Sequence, residues 1–127
     1  MRKEEVELLK ERVEAFLDTA AYNYRNGRYD LAAFNLEQAV QLYIKTKLLE
    51  MIGEFPRTHN LVVLLKELSA VYKEHEVAAF IKAEMLRLTK LTDVYVTSRY
   101  YTREFFEEEV KDLRDFALRL KGLLEYD

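Results

Sequence analysis

The sequence predicts an all-α protein, an antiparallel up-and-down bundle of four long helices plus one short helix. Three observations predict it. Apolar residues recur at three- and four-residue steps through most of the chain, as in helices that bury one stripe. Gly and Pro, which interrupt helices, number three and one among 127 residues. No stretch alternates apolar and polar residues with the period of two expected of a half-buried strand. A chain of this length is expected to form a single domain, 1–127, and can bury about two-thirds of the surface its unfolded form exposes.

In residues 4–26, Val6, Leu9, Val13, Phe16, Leu17, Ala20, Ala21 and Tyr24 make one amphipathic stripe. Asn26-Gly27 supplies a left-handed residue to end that helix, and a second begins two residues later, so the two are antiparallel neighbours. The second helix, 29–52, contains neither Gly nor Pro and stops at Gly53. On a helical wheel Glu37, Gln38, Gln41 and Lys45 occupy about a third of its circumference, and most of the rest is apolar. A helix apolar on most sides needs neighbours on most sides, which makes 29–52 the central helix.

The loop 53–60 reads Gly-Glu-Phe-Pro-Arg-Thr-His-Asn, with Thr58 or Asn60 as the N-cap of a short helix carrying Leu61, Leu64, Leu65 and Leu68. Lys73-Glu74-His75-Glu76 breaks the apolar pattern and is read as a turn. A helix over 77–96 follows, with Phe80, Ile81, Met85, Leu88, Leu91, Thr92 and Tyr95 inward. Thr102 is a suitable N-cap for the last helix, and Glu104 places acid in its first turn. That helix is expected to turn Phe105, Phe106, Val110, Leu113, Phe116, Ala117, Leu120 and Leu124 to the core, with Glu107, Glu108, Glu109, Lys111 and Asp112 on a solvated face.

Composition excludes several function classes. Without Cys there is no disulfide, thiol nucleophile or thiolate zinc site, which fits a reducing cytoplasm. Twenty basic against 23 acidic side chains leave a net charge of -3, and hence no global basic field for nucleic acid. No apolar run approaches the roughly 20 residues of a membrane span, so the protein is expected to be soluble, unanchored and cytoplasmic. Two scattered histidines offer no metal-ligand spacing, and no Gly-rich loop cradles a triphosphate, so neither metal nor cofactor is expected.

Residues 21–43, with Gly27, Tyr29, Ala32, Ala33, Glu37, Ala39 and Leu42, resemble one tetratricopeptide repeat, a family of peptide-binding solenoids. An array should repeat the pattern about 34 residues on, where 61–68 has no Gly and no paired Ala. A second resemblance covers nearly the whole chain. The Ala-rich central helix, the loop Pro56-Arg57-Thr58-His59-Asn60-Leu61 and the segment Asp93-Val94-Tyr95 to Ser98-Arg99-Tyr100 together resemble the HEPN family, in particular its short prokaryotic and archaeal members. Tyr101 stands where those members usually have Pro.

That resemblance implies a helical bundle that forms a two-fold homodimer, often encoded beside a minimal nucleotidyltransferase in a toxin–antitoxin pair. Catalytic members of the family cleave RNA with an Arg followed four to six residues later by a His. Histidine can shuttle a proton near neutral pH, and Arg can stabilise charge building on the phosphate. Neither Arg99 nor Arg103 is followed by a His, and the histidines are His59 and His75. The reading is therefore a non-catalytic module that partners a nucleotidyltransferase and binds nucleotide or RNA through Arg57, His59, Arg99, Tyr100 and Tyr101. Arg99 would pair the phosphate and a Tyr would stack on the base. The enzyme alternative is a metal-independent ribonuclease in which His59 and Arg99 meet across space or across a dimer.

Overall fold

The computed structural model describes residues 2–100 and 103–126, with the side chains of 98–100 outside the description. Six helices follow one another: α1 Arg2–Arg25, α2 Tyr29–Ile52, α3 Leu61–Ser69, α4 Glu74–Ala83, α5 Met85–Tyr100 and α6 Glu107–Leu123. No strand occurs among the described residues. The expected all-α bundle is present, with its helices divided differently along the chain.

Helices α1 and α2 are antiparallel because the link between them is very short. Gly27 adopts φ +71°, and its N–H reaches the Tyr24 carbonyl at 3.1 Å while that of Arg28 reaches Asn23 at 2.8 Å. Beside the turn, Asn23 donates to Asn35 at 2.7 Å, and at the far end Lys10 pairs with Glu50 at 3.8 Å. Gly53, at φ +80°, closes α2 by donating to Leu49. Between these stops Ala32, Ala33, Leu36, Ala39, Val40, Ile44 and Leu48 are all buried, and α2 packs against α1, α3, α5 and α6. The central role expected of this helix is its observed one.

The expected turn at 73–76 lies slightly upstream, at 70–73, and α4 starts at Glu74. Lys73 takes the left-handed conformation at φ +40° without being Gly. Its ammonium is held by Glu125 at 2.7 Å and the Leu123 carbonyl at 3.4 Å, tertiary contacts that compensate for the backbone cost.

The expected helix 77–96 is two helices. Glu84 leaves helical geometry with φ −108° and ψ 17°, and its carboxylate is almost fully buried. Arg119 of α6 grips that carboxylate with two bonds of 2.7 and 3.0 Å, and Arg87 adds one at 3.4 Å. The break lets α4 cover α3 while α5 runs along α2 and α6. Next to the break Met85, expected inward, is exposed, while Leu88 and Leu91 are buried as expected, together with Val94. Helices α5 and α6 are antiparallel, joined by Arg87–Asp112 at 2.9 Å and Lys90–Glu109 at 3.2 Å.

The start of α6 differs from expectation. Thr102 lies outside the described residues, and the helix begins at Glu107 with Phe106 in the N-cap position. Phe106, expected in the core, is 59% exposed, whereas its neighbour Phe105 is buried. Phe106 has no side-chain acceptor; instead Glu109 reaches back to accept its backbone N–H at 3.1 Å. Glu109 also takes bonds from Arg103 and Lys90, so it and Asp112 tie elements together and do not simply face solvent.

Buried residues from all six helices form one continuous core. No described helix is long and apolar enough to cross a membrane.

Candidate functional site

The loop 53–60 owes its shape to three short polar side chains. Thr58 Oγ1 accepts the Asn60 N–H at 3.1 Å, and Asn60 Oδ1 accepts the N–H groups of Val62 and Val63 at 3.1 and 3.2 Å. Both residues offered as caps are thus used, with Asn60 as the true N-cap of α3. The next N–H, that of Leu61, crosses to α5 and bonds Thr92 Oγ1 at 3.2 Å, while the Thr92 hydroxyl donates to Leu88 at 2.8 Å. The loop is therefore locked onto α5 where α3 begins.

One turn further along α5, Tyr95 receives the His59 ring. The rings stack with centroids 4.3 Å apart and planes 13° from parallel, and both residues are half-buried. Arg57, two residues earlier, is exposed and forms no hydrogen bond or ion pair among the described residues. Arg99 lies in the last turn of α5, four residues beyond Tyr95. The side chains of Arg99 and Tyr100, and all of Tyr101, lie outside the described residues, so His59 and Arg57 are the predicted site residues whose surroundings are defined.

A second polar feature, the stripe expected on α2, has its Glu37 fully buried and Gln38, Gln41 and Lys45 half-buried. The Glu37 carboxylate belongs to a residue with 0% exposure; Gln38 donates to it at 2.6 Å and Gln41 at 2.8 Å. Lys45 extends the chain with a 2.9 Å bond to Gln41, and its ammonium lies 5.3 Å from the ring of Phe55 in the loop. Burial lowers the pKa of Lys45 from its ordinary value, against the opposing attraction of Glu37. A relay of polar groups thus runs from the middle of α2 to the loop that carries His59. The signal was visible as one Glu with Gln at the next position and one turn on, in a helix otherwise apolar on most sides.

A sizeable cavity lies elsewhere. It measures about 620 Å³ and is lined by α1 residues including Glu7, Glu11 and Glu14, by Tyr43 and Thr46 of α2, and by Tyr126. Burial, followed by the charge of Glu14, raises the Tyr43 phenol well above its ordinary pKa, so it stays protonated at any physiological pH. Among the described residues no three His, Asp or Glu side chains stand close enough to share a metal ion.

A six-helix bundle built on α2, with a capped Pro-Arg-Thr-His-Asn loop locked to α5, agrees with the comparison to known families. The HEPN domain matches residues 6–125, nearly the whole chain. The chain belongs to the HEPN family. No curated protein matches it. As a HEPN domain, it places the Thr-His-Asn loop against α5 one turn before Arg99. The tetratricopeptide alternative is not favoured, because the match to one HEPN domain leaves no room for a repeat array.

Proposed function

We propose that this HEPN domain is a non-catalytic module of a toxin–antitoxin-like pair, a homodimer that partners a minimal nucleotidyltransferase and binds nucleotide on the face formed by the loop 53–60 and the end of α5. The observation that carries the proposal is the use of its histidines. His59 precedes Arg99 by forty positions and lies flat on Tyr95. His75 is exposed in the first turn of α4, separated from His59 by the length of α3, roughly 13 Å. Neither follows an Arg at the spacing the cleaving members of the family use.

Binding chemistry fits the same face. Arg57 is exposed and unpaired among the described residues, and a planar guanidinium suits a phosphate. The His59–Tyr95 pair, two positions along the loop from Arg57, supplies aromatic rings against which a base can pack. The net charge of -3 favours a single nucleotide or a protein partner over a long polyanion.

The test is co-expression with a minimal nucleotidyltransferase, followed by mass determination and titration with ATP and AMP by NMR. The expected result is a species of twice the chain mass that co-purifies with the partner, with nucleotide perturbing His59, Tyr95 and Arg57. A monomer that ignores both partner and nucleotide overturns the proposal. So does RNA cleavage that His59→Ala abolishes.

A further inference from the structure

Helices α1 and α6 both pack on α2, but they meet each other sparsely. Among the described residues their polar links are Tyr24 to Glu107 at 3.2 Å and Lys121 to Glu14 at 3.4 Å, near opposite ends of the pair. Between these links the lining includes three small residues, Ala20 and Ala21 on α1 and Ala117 on α6, which leave space between the two helices. The result is an apolar groove of about 350 Å³, with Leu36 of α2 among its lining residues and Arg25 and Arg114 also beside it.

The two arginines decide what the groove suits. Neither makes a hydrogen bond or ion pair among the described residues, whereas Arg87, Arg103 and Arg119 all grip carboxylates. Arg114 is close enough to Tyr24 to bear on its phenol, which places that charge at the Tyr24 end of the groove, where Arg25 also lies. The groove thus joins an apolar trough to a cationic end. Its volume falls near the lower limit of small-ligand pockets, roughly 300 to 1,000 Å³. Its lining covers about two turns of each helix, some 11 Å, which is short for the apolar stripe of a docked helix.

We propose that this groove binds a small amphipathic carboxylate, such as a medium-chain fatty acid, with its tail over Leu36 and the alanines and its head between Arg25 and Arg114. Glu107, bonded to Tyr24 at the cationic end, disfavours a dianionic phosphate head and selects the singly charged one. The site is separate from the His59 face and independent of any role in nucleotide binding.

The probe is decanoate below its micelle concentration, compared with decanol and decyl phosphate by calorimetry and by NMR shifts of Ala20, Ala21 and Ala117. One decanoate per chain is expected, bound about tenfold or more tightly than decanol, with decyl phosphate weaker than decanoate. The double change Arg25→Gln with Arg114→Gln should remove that tenfold advantage while leaving decanol affinity unchanged. Ala21→Phe, which fills the half-buried trough, should abolish binding of both, and each variant is first checked for an unchanged thermal midpoint. No decanoate binding at millimolar concentration overturns the proposal, as does equal affinity for acid and alcohol. A tighter phosphate overturns the choice of head group. If Ala21→Phe converts a dimer to monomer and decanoate leaves the alanine signals unmoved, the groove is a face between two copies and the proposal fails.

Discussion

The imidazole of His59 lies flat on the ring of Tyr95, with centroids 4.3 Å apart and planes 13° from parallel. This contact joins the loop before α3 to the exposed side of α5, and it gives the histidine a structural task that another flat ring could share. Aromatic pairs of this kind contribute about 0.5–1.5 kcal/mol beyond simple burial. His59→Ala is therefore expected to lower the unfolding free energy by about 1 kcal/mol and His59→Phe to retain most of it, as measured by urea denaturation. Equal losses in the two variants would show that the stack contributes nothing.

The anchoring of α3 rests on two side chains. Asn60→Ala removes the acceptor for two backbone N–H groups and should cost about 1 kcal/mol, whereas Asn60→Asp should be nearly neutral. Thr92→Val leaves the Leu61 N–H without its partner, at a cost of about 1–3 kcal/mol. Hydrogen exchange at Leu61 checks the second directly: protection there should fall in Thr92→Val and persist in Thr92→Ser.

Two hydroxyls in α2, those of Tyr43 and Thr46, are buried without a hydrogen-bond partner among the described residues. Removing an unpartnered buried hydroxyl relieves its desolvation cost, typically about 1–3 kcal/mol in proteins. Thr46→Val keeps the shape of the side chain and should raise the thermal midpoint, and Tyr43→Phe should do the same. A lower midpoint in both variants would mean that the hydroxyls bond in solution.

The Glu84 carboxylate is buried against Arg119 and Arg87. Arg119→Met strips away its bidentate partner and is expected to cost about 3 kcal/mol, because a buried charge is left poorly compensated. Adding Glu84→Leu to Arg119→Met should recover much of that loss. A double variant as unstable as the sum of its single changes would rule this out.

Glu109 is expected to contribute to the acid limb of stability. Burial alone would raise its pKa, but bonds from Arg103, the Phe106 N–H and Lys90 outweigh burial and hold it below the ordinary 4.5. With the folded pKa depressed, the stabilisation is complete above about pH 4.5 and disappears as pH falls through the lower folded value. Thermal midpoints recorded from about pH 6 to pH 3 should fall less steeply in Glu109→Gln than in the unaltered protein. Parallel curves would place the acid sensitivity in other carboxylates.

Sequence pattern was sufficient wherever the physics is local. Asn26-Gly27 and Gly53 end helices because a left-handed residue is needed there, and Asn60 caps α3 because its side chain reaches N–H groups two and three residues on. The central place of α2 follows from the number of sides on which it is apolar. The same reasoning misplaced features governed by distant partners. Nothing near Glu84 in the chain breaks a helix; the grip of Arg119, 35 positions away, accompanies the break. Phe106 reads as a core residue by spacing alone, yet α6 starts one residue later and turns it outward.

For the candidate site the division is similar. Arg57, His59 and the arginine-bearing end of α5 were legible as family landmarks, while the His59–Tyr95 stack and the Thr92 lock join residues more than 30 positions apart. The burial of Glu37 was likewise invisible, because a wheel shows only which residues share a stripe. Whether that stripe meets water or a neighbouring helix depends on how the whole chain packs. The sequence by itself determined the helical class, the central helix and the helix stops at Gly27 and Gly53, since period, propensity and left-handed glycines act over a few residues. Tertiary structure alone decided where α4 gives way to α5, which carboxylates are buried and what His59 touches, because those outcomes depend on charges and rings brought together by folding.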